Sequence, residues 1–184
     1  MNVSGERTFA ASRATLWKVL NDPESMAKTM PGVESFDVHD DRRWTANVKI
    51  PLGLGALRMT VDMEKIEERE PEFAKLAVKG NGVGAMLNME TSFTLADAPE
   101  GGTAMAWSAE VKVAGPVGSM GQRVLQPIVN QQVQHVLGAL DRQVQAEAAG
   151  GGEPATHGAE EGVSPASPEA YDAEPEGPTT STED

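Results

Sequence analysis

The stretch PVGSMGQRVLQPIVNQQVQHVLGALDRQVQAEA, Pro116 to Ala148, decides how the rest of the chain is read. Val117, Met120, Val124, Ile128, Val133, Val136, Leu137, Leu140 and Val144 recur at spacings of three to five, which gathers them into one stripe of a helix. Gln122, Arg123, Gln131, Gln132, Gln134, Asp141, Arg142 and Gln145 are assigned to the opposite, polar side. The spacing predicts a single helix opened by Gly115-Pro116 and ended by Gly150-Gly151-Gly152. At 1.5 Å per residue it would span roughly 50 Å, enough to cross a whole sheet. Pro127 removes one backbone donor inside it, so a kink near Arg123 to Gln126 is expected.

Working outward, the residues before this helix read mostly as sheet. Trp44, Ala46, Val48 and Ile50 alternate with Thr45, Asn47 and Lys49, which buries one face and wets the other. Leu57, Met59, Val61 and Met63 alternate with Arg58, Thr60, Asp62 and Glu64 after an interruption at Pro51-Leu52-Gly53-Leu54-Gly55. Glu70-Pro71 is the next break. Phe73 to Lys79, Met86 to Leu95, and the run lined by Met105, Trp107, Ala109, Val111 and Val113 complete the strands, with Val33 to His39 and Val3 to Ala10 nearer the start. Two short helices interrupt the series: Ser12 caps Arg13 to Leu20, and Asp22-Pro23 opens a second that Met30-Pro31-Gly32 ends. Strand runs closed by a terminal helix indicate an α+β fold, a curved antiparallel sheet gripping one long helix.

The boundary falls at Ala149. Residues 1–149 carry 19 acids against 15 bases, while residues 150–184 hold nine acids, Glu153 through Asp184, and no Lys or Arg. Five prolines with Gly, Ser, Thr and Ala leave that segment too little apolar surface to fold, so an acidic disordered tail is expected. It is expected to serve either as a solubilising appendage or as a docking segment for a basic partner or a surface. The chain has no cysteine, which excludes disulfides, thiolate metal sites and a thiol nucleophile. Acidity argues against nucleic acid. Met1-Asn2-Val3-Ser4-Gly5-Glu6 lacks the regions of a signal peptide and no window reaches the length of a membrane span, so the expected location is the cytoplasm.

Five segments stand out together: Ala14-Thr15-Leu16-Trp17-Lys18-Val19-Leu20-Asn21-Asp22-Pro23-Glu24, Met30-Pro31-Gly32-Val33-Glu34, Val48-Lys49-Ile50-Pro51-Leu52-Gly53, Gly102-Thr103, and Val113-Ala114-Gly115-Pro116-Val117-Gly118-Ser119-Met120-Gly121-Gln122-Arg123-Val124-Leu125. In this order they resemble the CoxG family of carbon monoxide dehydrogenase accessory proteins, a branch of the START-like (SRPBCC) helix-grip superfamily. The resemblance covers Val3 to Ala148. It implies a non-catalytic accessory protein with a cavity for a hydrophobic ligand such as a quinone or another isoprenoid lipid. It also implies partnership with a molybdenum hydroxylase and a link to the inner face of the cell membrane. In the later half of the last helix, where the family often has aromatic residues, this chain has His135-Val136-Leu137-Gly138-Ala139-Leu140.

The residues themselves agree with little chemistry and much apolar surface. His39, His135 and His157 are scattered without carboxylates at metal spacing, so no catalytic residue and no metal site is expected. Gly80-Asn81-Gly82-Val83-Gly84 joins two strand patterns and is read as a hairpin or lip loop rather than a phosphate cradle. Glu64 to Glu70 is read as a solvated strand end. The candidate ligand-binding set is Trp44, Val48, Leu57, Met59, Val61, Met63, Met89, Phe93, Met105, Trp107, Met120 and Val124, with Met86 beside it. Thioether and indole side chains adapt to ligands of changing shape, and equally fill an ordinary core. Leu52, Leu54 and Val83 are the candidate apolar lip for membrane contact. A ligand-free recruitment factor is the alternative; a cyclase or hydrolase on the same fold would need polar lining residues, for which only Thr91 and Asn88 are available.

Overall fold

The structure, a computed structural model, describes residues 1–52 and 55–150. Seven strands, β1 (Asn2–Phe9), β2 (Val33–Val38), β3 (Arg43–Leu52), β4 (Gly55–Arg69), β5 (Phe73–Gly82), β6 (Ala85–Asp97) and β7 (Thr103–Ala114), form one antiparallel sheet in the order β1-β7-β6-β5-β4-β3-β2. Helices α1 (Arg13–Asn21) and α2 (Pro23–Thr29) follow β1, and α3 (Gln122–Gly150) is the last element of the described residues. This is the α+β helix-grip architecture expected from the pattern of strands and terminal helix. His157, Leu54 and the acidic segment after Gly150 lie outside the described residues.

Local chemistry explains the first turns. The Ser12 side chain accepts from the Thr15 amide and the Asp22 carboxylate accepts from the Ser25 amide at 2.8 Å, so each short helix has a filled N-cap. Pro23 occupies the first turn of α2. Gly32 then takes a φ of 70°, and a Cβ there would sit 2.0 Å from the Lys49 carbonyl oxygen, so this turn admits only glycine.

Hairpins set the register, and the register sets what faces inward. Strand β3 pairs with β4 out to Leu52 opposite Gly55, so Pro51 is inside the strand instead of interrupting it. Likewise β5 runs on to Gly82, which faces Ala85, leaving Val83 and Gly84 at the hairpin tip. The solvated strand end is corrected in part: Lys65 continues the inward alternation of β4, is buried, and its ammonium donates to Glu68 at 2.9 Å, while a bulge between Lys65 and Glu67 turns the strand after it. Across the inner face, Val111, Met89, Val78, Met63 and Trp44 form one row, and Val113, Leu87, Gly80, Val61 and Ala46 the next.

The closing helix is shorter than its periodicity suggests. Gly121 has a φ of 79°, and a Cβ on Gly118 would lie 2.3 Å from the Val113 carbonyl oxygen. The Val117 amide donates to Gly84 at 2.9 Å. Residues 116–121 therefore fasten the chain to the β5–β6 hairpin and to β7 through a 3₁₀ turn at Gly118–Met120, and α3 begins only at Gln122. Its 29 residues span about 43 Å. Pro127 lies on its exposed side and the helix runs through it unbroken.

Candidate ligand-binding site

The buried apolar side chains form two clusters. One joins Phe9, Leu16, Trp17, Val19, Leu95 and Met105 to Leu137, Leu140 and Val144 of α3, with Phe93, Trp107 and Val133 packed against it. The other holds Trp44, Ala46, Val48, Leu57, Met59, Val61, Met63, Val78 and Ala85, with Leu87, Met89 and Val117 at its margin, and includes no residue of α3. The later half of α3 is thus seated on α1 and the β1–β7–β6 side. Its earlier half, Leu125, Ile128, Val129 and Gln132, belongs to neither cluster. An ion pair of 3.0 Å between Arg7 of β1 and Asp141 fastens the seated half, as does Lys18 of α1 to Glu147.

The candidate residues are therefore brought together as two groups. Trp44, Val48, Leu57, Met59, Val61 and Met63 are buried on β3 and β4, with Met89 half-buried beside them. Phe93, Met105 and Trp107 belong to the other group; Met105 lies three rows from Met89, in the cluster with Leu16 and Trp17 of α1, because its strand partners are Leu95 and Arg7. Met120 and Val124 do not face the interior: they are 47% and 44% exposed, because the chain enters α3 through the 3₁₀ turn at the rim. Met86 also points outward, since Ala85 and Leu87 take the inner positions of β6. Together with Val83, 96% exposed, these side chains make an apolar rim where the β5–β6 hairpin meets the start of α3.

Glycines shape the inner face more than composition suggests. A Cβ on Gly80 would stand 3.2 Å from the Met59 sulfur, so the thioether occupies the space a side chain there would take. Gly5 does the same for Trp107, whose indole lies 2.9 Å from where a Cβ would be. Three side-chain atoms are enclosed without a hydrogen-bond partner: Trp44 Nε1, Trp107 Nε1 and Gln132 Oε1. Such atoms cost about 1–3 kcal/mol each unless something satisfies them. Gln132 is the residue that periodicity misplaced. Counting Leu125, Val129, Gln132, Val136 and Leu140 at steps of four, three, four and four puts it in the middle of the inward stripe, so the signal was present in the spacing.

Two recesses are lined by described residues. One, about 370 Å³, opens between edge strand β1 and α3 and is lined by Asn2, Val3, Ser4, Trp107, Gln126, Asn130, Val133 and Gln134. The other, about 520 Å³, is a shallow groove at the corner of β3, β4 and β5, where Val48 and Met59 meet the outward side chains Glu34, Asn47, Arg58, Thr60 and Asn81. Groups suited to acid–base chemistry are elsewhere. Thr91 Oγ1 donates to the Ser108 carbonyl at 3.0 Å and Asn88 is on the outer face. His39 Nε2 is 2.8 Å from Thr45 Oγ1 in an exposed turn, and no group of His, Asp and Glu among the described residues has the arrangement of a metal site. The perturbed carboxyls are in turns and on the outer surface: the Arg43 guanidinium holds Asp40 below its ordinary value and the Lys112 ammonium does so for Glu110.

The family model of the carbon monoxide dehydrogenase G subunit (CoxG) matches residues 5–145, from β1 through most of α3. The chain belongs to that family. Solved structures agree on the fold. A conserved protein from Geobacillus kaustophilus superposes with a TM-score of 0.74 at 20% identity, covering 79% of this chain and 96% of its own. A START superfamily protein from Mycobacterium smegmatis gives 0.59 at 16% identity, covering 79% and 97%. The Zhui aromatase/cyclase from Streptomyces sp. R1128 gives 0.63 at 14% identity, covering 83% and 99%. No curated protein matches the chain. CoxG membership and the START-like fold support a ligand-binding accessory protein. No helix among the described residues is long and apolar enough to cross a membrane.

Proposed function

We propose that this CoxG family member is a non-catalytic carrier that holds a hydrophobic ligand, a quinone or related isoprenoid, between its sheet and the first half of α3. In that role it serves a molybdenum hydroxylase of the carbon monoxide dehydrogenase type at the inner face of the cell membrane. One observation carries the ligand part: Ile128, Val129 and Val136 of α3 and Leu87, Met89 and Phe93 of β6 are only half-buried, and α3 before Val133 joins neither apolar cluster. Apolar surface left incompletely covered between two layers favours a guest, at about 25 cal/mol per Å² removed from water. The exposed rim of Val83, Met86, Met120 and Val124, with Arg123 exposed beside it, supports contact with an anionic lipid surface or with the partner enzyme.

The test is the composition of the protein as isolated from its native host. Organic extraction with mass spectrometry is expected to recover an isoprenoid quinone in a substantial fraction of the molecules, and its addition to stripped protein is expected to quench tryptophan fluorescence. Empty extracts together with an absence of quenching refute the carrier role. A ligand-free recruitment factor is the second reading. It is favoured by the way Met59 fills the space over Gly80, so that much of the β3–β4 side is packed on itself. In that case the hydroxylase is captured equally well by stripped and loaded protein.

A further inference from the structure

The sheet has two edges, and they are protected differently. Edge strand β2 carries a register shift between Val33 and Ser35, bears Glu34 and Asp37, and has α2 packed against it. A bulge, charge and cover are the usual defences of an unpaired edge. Edge strand β1 has such defences only in its second half, where Glu6 and Arg7 are charged and the Arg7–Asp141 ion pair draws α3 close. From Asn2 to Gly5 it keeps an unbroken register with β7 and has no charged side chain, proline or bulge.

The backbone of this open stretch faces a recess. Met1 and Val111 exchange both of their bonds, at 2.6 and 2.8 Å, so alternation turns Val3 and Gly5 toward β7 and the N–H and C=O groups of Asn2 and Ser4 away from it. No strand stands beyond β1 in the sheet. Asn2 and Ser4 also line the 370 Å³ recess between β1 and α3. The helical wall of that recess carries three side-chain amides, Gln126, Asn130 and Gln134, at steps of four along one face. Gln126 Nε2 donates to Asn130 Oδ1 at 3.2 Å, which leaves the Gln126 oxygen and the Asn130 NH₂ for another partner.

We infer that this slot docks an extended, uncharged segment of a partner protein, which joins the sheet at β1 as an added strand with the α3 amides along its other side. The exposed edge of a strand repeats its donors and acceptors every two residues, roughly 7 Å, and another extended backbone is the structure that matches that repeat. Each side-chain amide offers both a donor and an acceptor, so the row on α3 meets the far edge of the added strand whatever its sequence. None of the residues lining the recess is charged, which disfavours an ionic ligand, while Val3, Val133 and Trp107 give alternate side chains an apolar surface. This surface is independent of the carrier role, since nothing in it requires a ligand in the interior.

Recognition through the backbone is insensitive to sequence, so a generic probe tests it. The probe is a capped pentapeptide of alternating valine and threonine, titrated by NMR into the isotopically labelled full chain; the control is the same peptide methylated at every backbone nitrogen. The first is expected to shift the Asn2 and Ser4 backbone amides and the Gln126, Asn130 and Gln134 side-chain amides, saturating in the millimolar range, and the second to shift none of them. Ser4→Pro removes one outward N–H and spares the bonds to β7, so it is expected to weaken the peptide about fivefold while melting within about 2 °C of the parent. Ser4→Ala keeps the N–H and is expected to bind as the parent does. Where Ser4→Pro lowers the melting temperature further, the comparison of the two peptides decides by itself. Absence of shifts at these amides, or equal binding of the methylated peptide, overturns the added strand. The same shifts on concentrating the chain alone, with a dimer in sedimentation, assign the slot to a second copy and overturn the partner segment.

Discussion

Truncating α3 at two points separates a helix seated along its whole length from one seated along half. Leu140 is 3% exposed and belongs to the cluster with Leu16, Trp17 and Phe9. Leu140→Ala removes its transfer energy and leaves a cavity, about 3 kcal/mol in the middle of the usual range. Ile128 is half-buried and in neither cluster, so Ile128→Ala loses about three methyl-equivalents at half burial, roughly 1.2 kcal/mol at 0.8 kcal/mol each, with no cavity term. The gain in helix propensity from alanine trims this to about 1 kcal/mol. For a domain of this size 1 kcal/mol is worth about 2–4 °C, so thermal melts of the stripped protein are expected to fall by about 6–12 °C for Leu140→Ala and about 2–4 °C for Ile128→Ala. The converse variant, Val129→Phe, adds bulk where the gap is expected. It should cost under about 1 kcal/mol in urea titrations and weaken ligand uptake, whereas a filled interior would exact about 1–3 kcal/mol for overpacking. Equal losses for the two alanine variants, with Val129→Phe strongly destabilising, would refute the half-seated helix.

Two further expectations concern the frame around the site. Gly32→Ala combines a left-handed φ with a Cβ 2.0 Å from the Lys49 carbonyl oxygen, so it should lose well over the about 1 kcal/mol of backbone strain expected for Gly84→Ala, where φ is also positive but no atom lies within 4 Å; paired urea titrations decide it. Asp22 is held below its ordinary carboxylate value by the Ser25 side chain first and, against the opposing effect of partial burial, by the Ser25 amide. A depressed folded value means that this contribution is complete above the unfolded pKa of about 4 and is lost as pH falls through the folded value, so Asp22→Asn should flatten the acid limb of a stability-versus-pH curve and lower stability at neutral pH, the two curves converging at low pH.

Most of the fold was legible because alternation and capping are local. Trp44 to Ile50 and Leu57 to Met63 bury alternate residues as their pattern requires, and Ser12 and Asp22 cap the helices they precede. The errors fell where distant residues decide. Pro116 to Gly121 has helical spacing, yet Gly118 must pass the Val113 carbonyl and Val117 must reach Gly84, so the turn prevails over the period. Lys65 reads as exposed from its charge, although it continues the inward parity of Leu57, Met59, Val61 and Met63, so here the spacing outweighs the residue type. The candidate site divided for a similar reason: the inward residues were identified, but which cluster each joins depends on pairing across four strands and on where α3 comes to rest.

The sequence by itself determined the order of strands and helices, the inner face of the sheet, the membership of the CoxG family and the lack of thiol chemistry, because each is written in neighbouring residues or in residue type. Only the tertiary structure decided that Met120 and Val124 stand at a rim, that Met59 lies over Gly80, and that most of the buried residues of α3 fall in its later half. Those depend on a helix position set by contacts more than a hundred residues apart, such as Arg7 with Asp141 and Lys18 with Glu147, which no local pattern encodes.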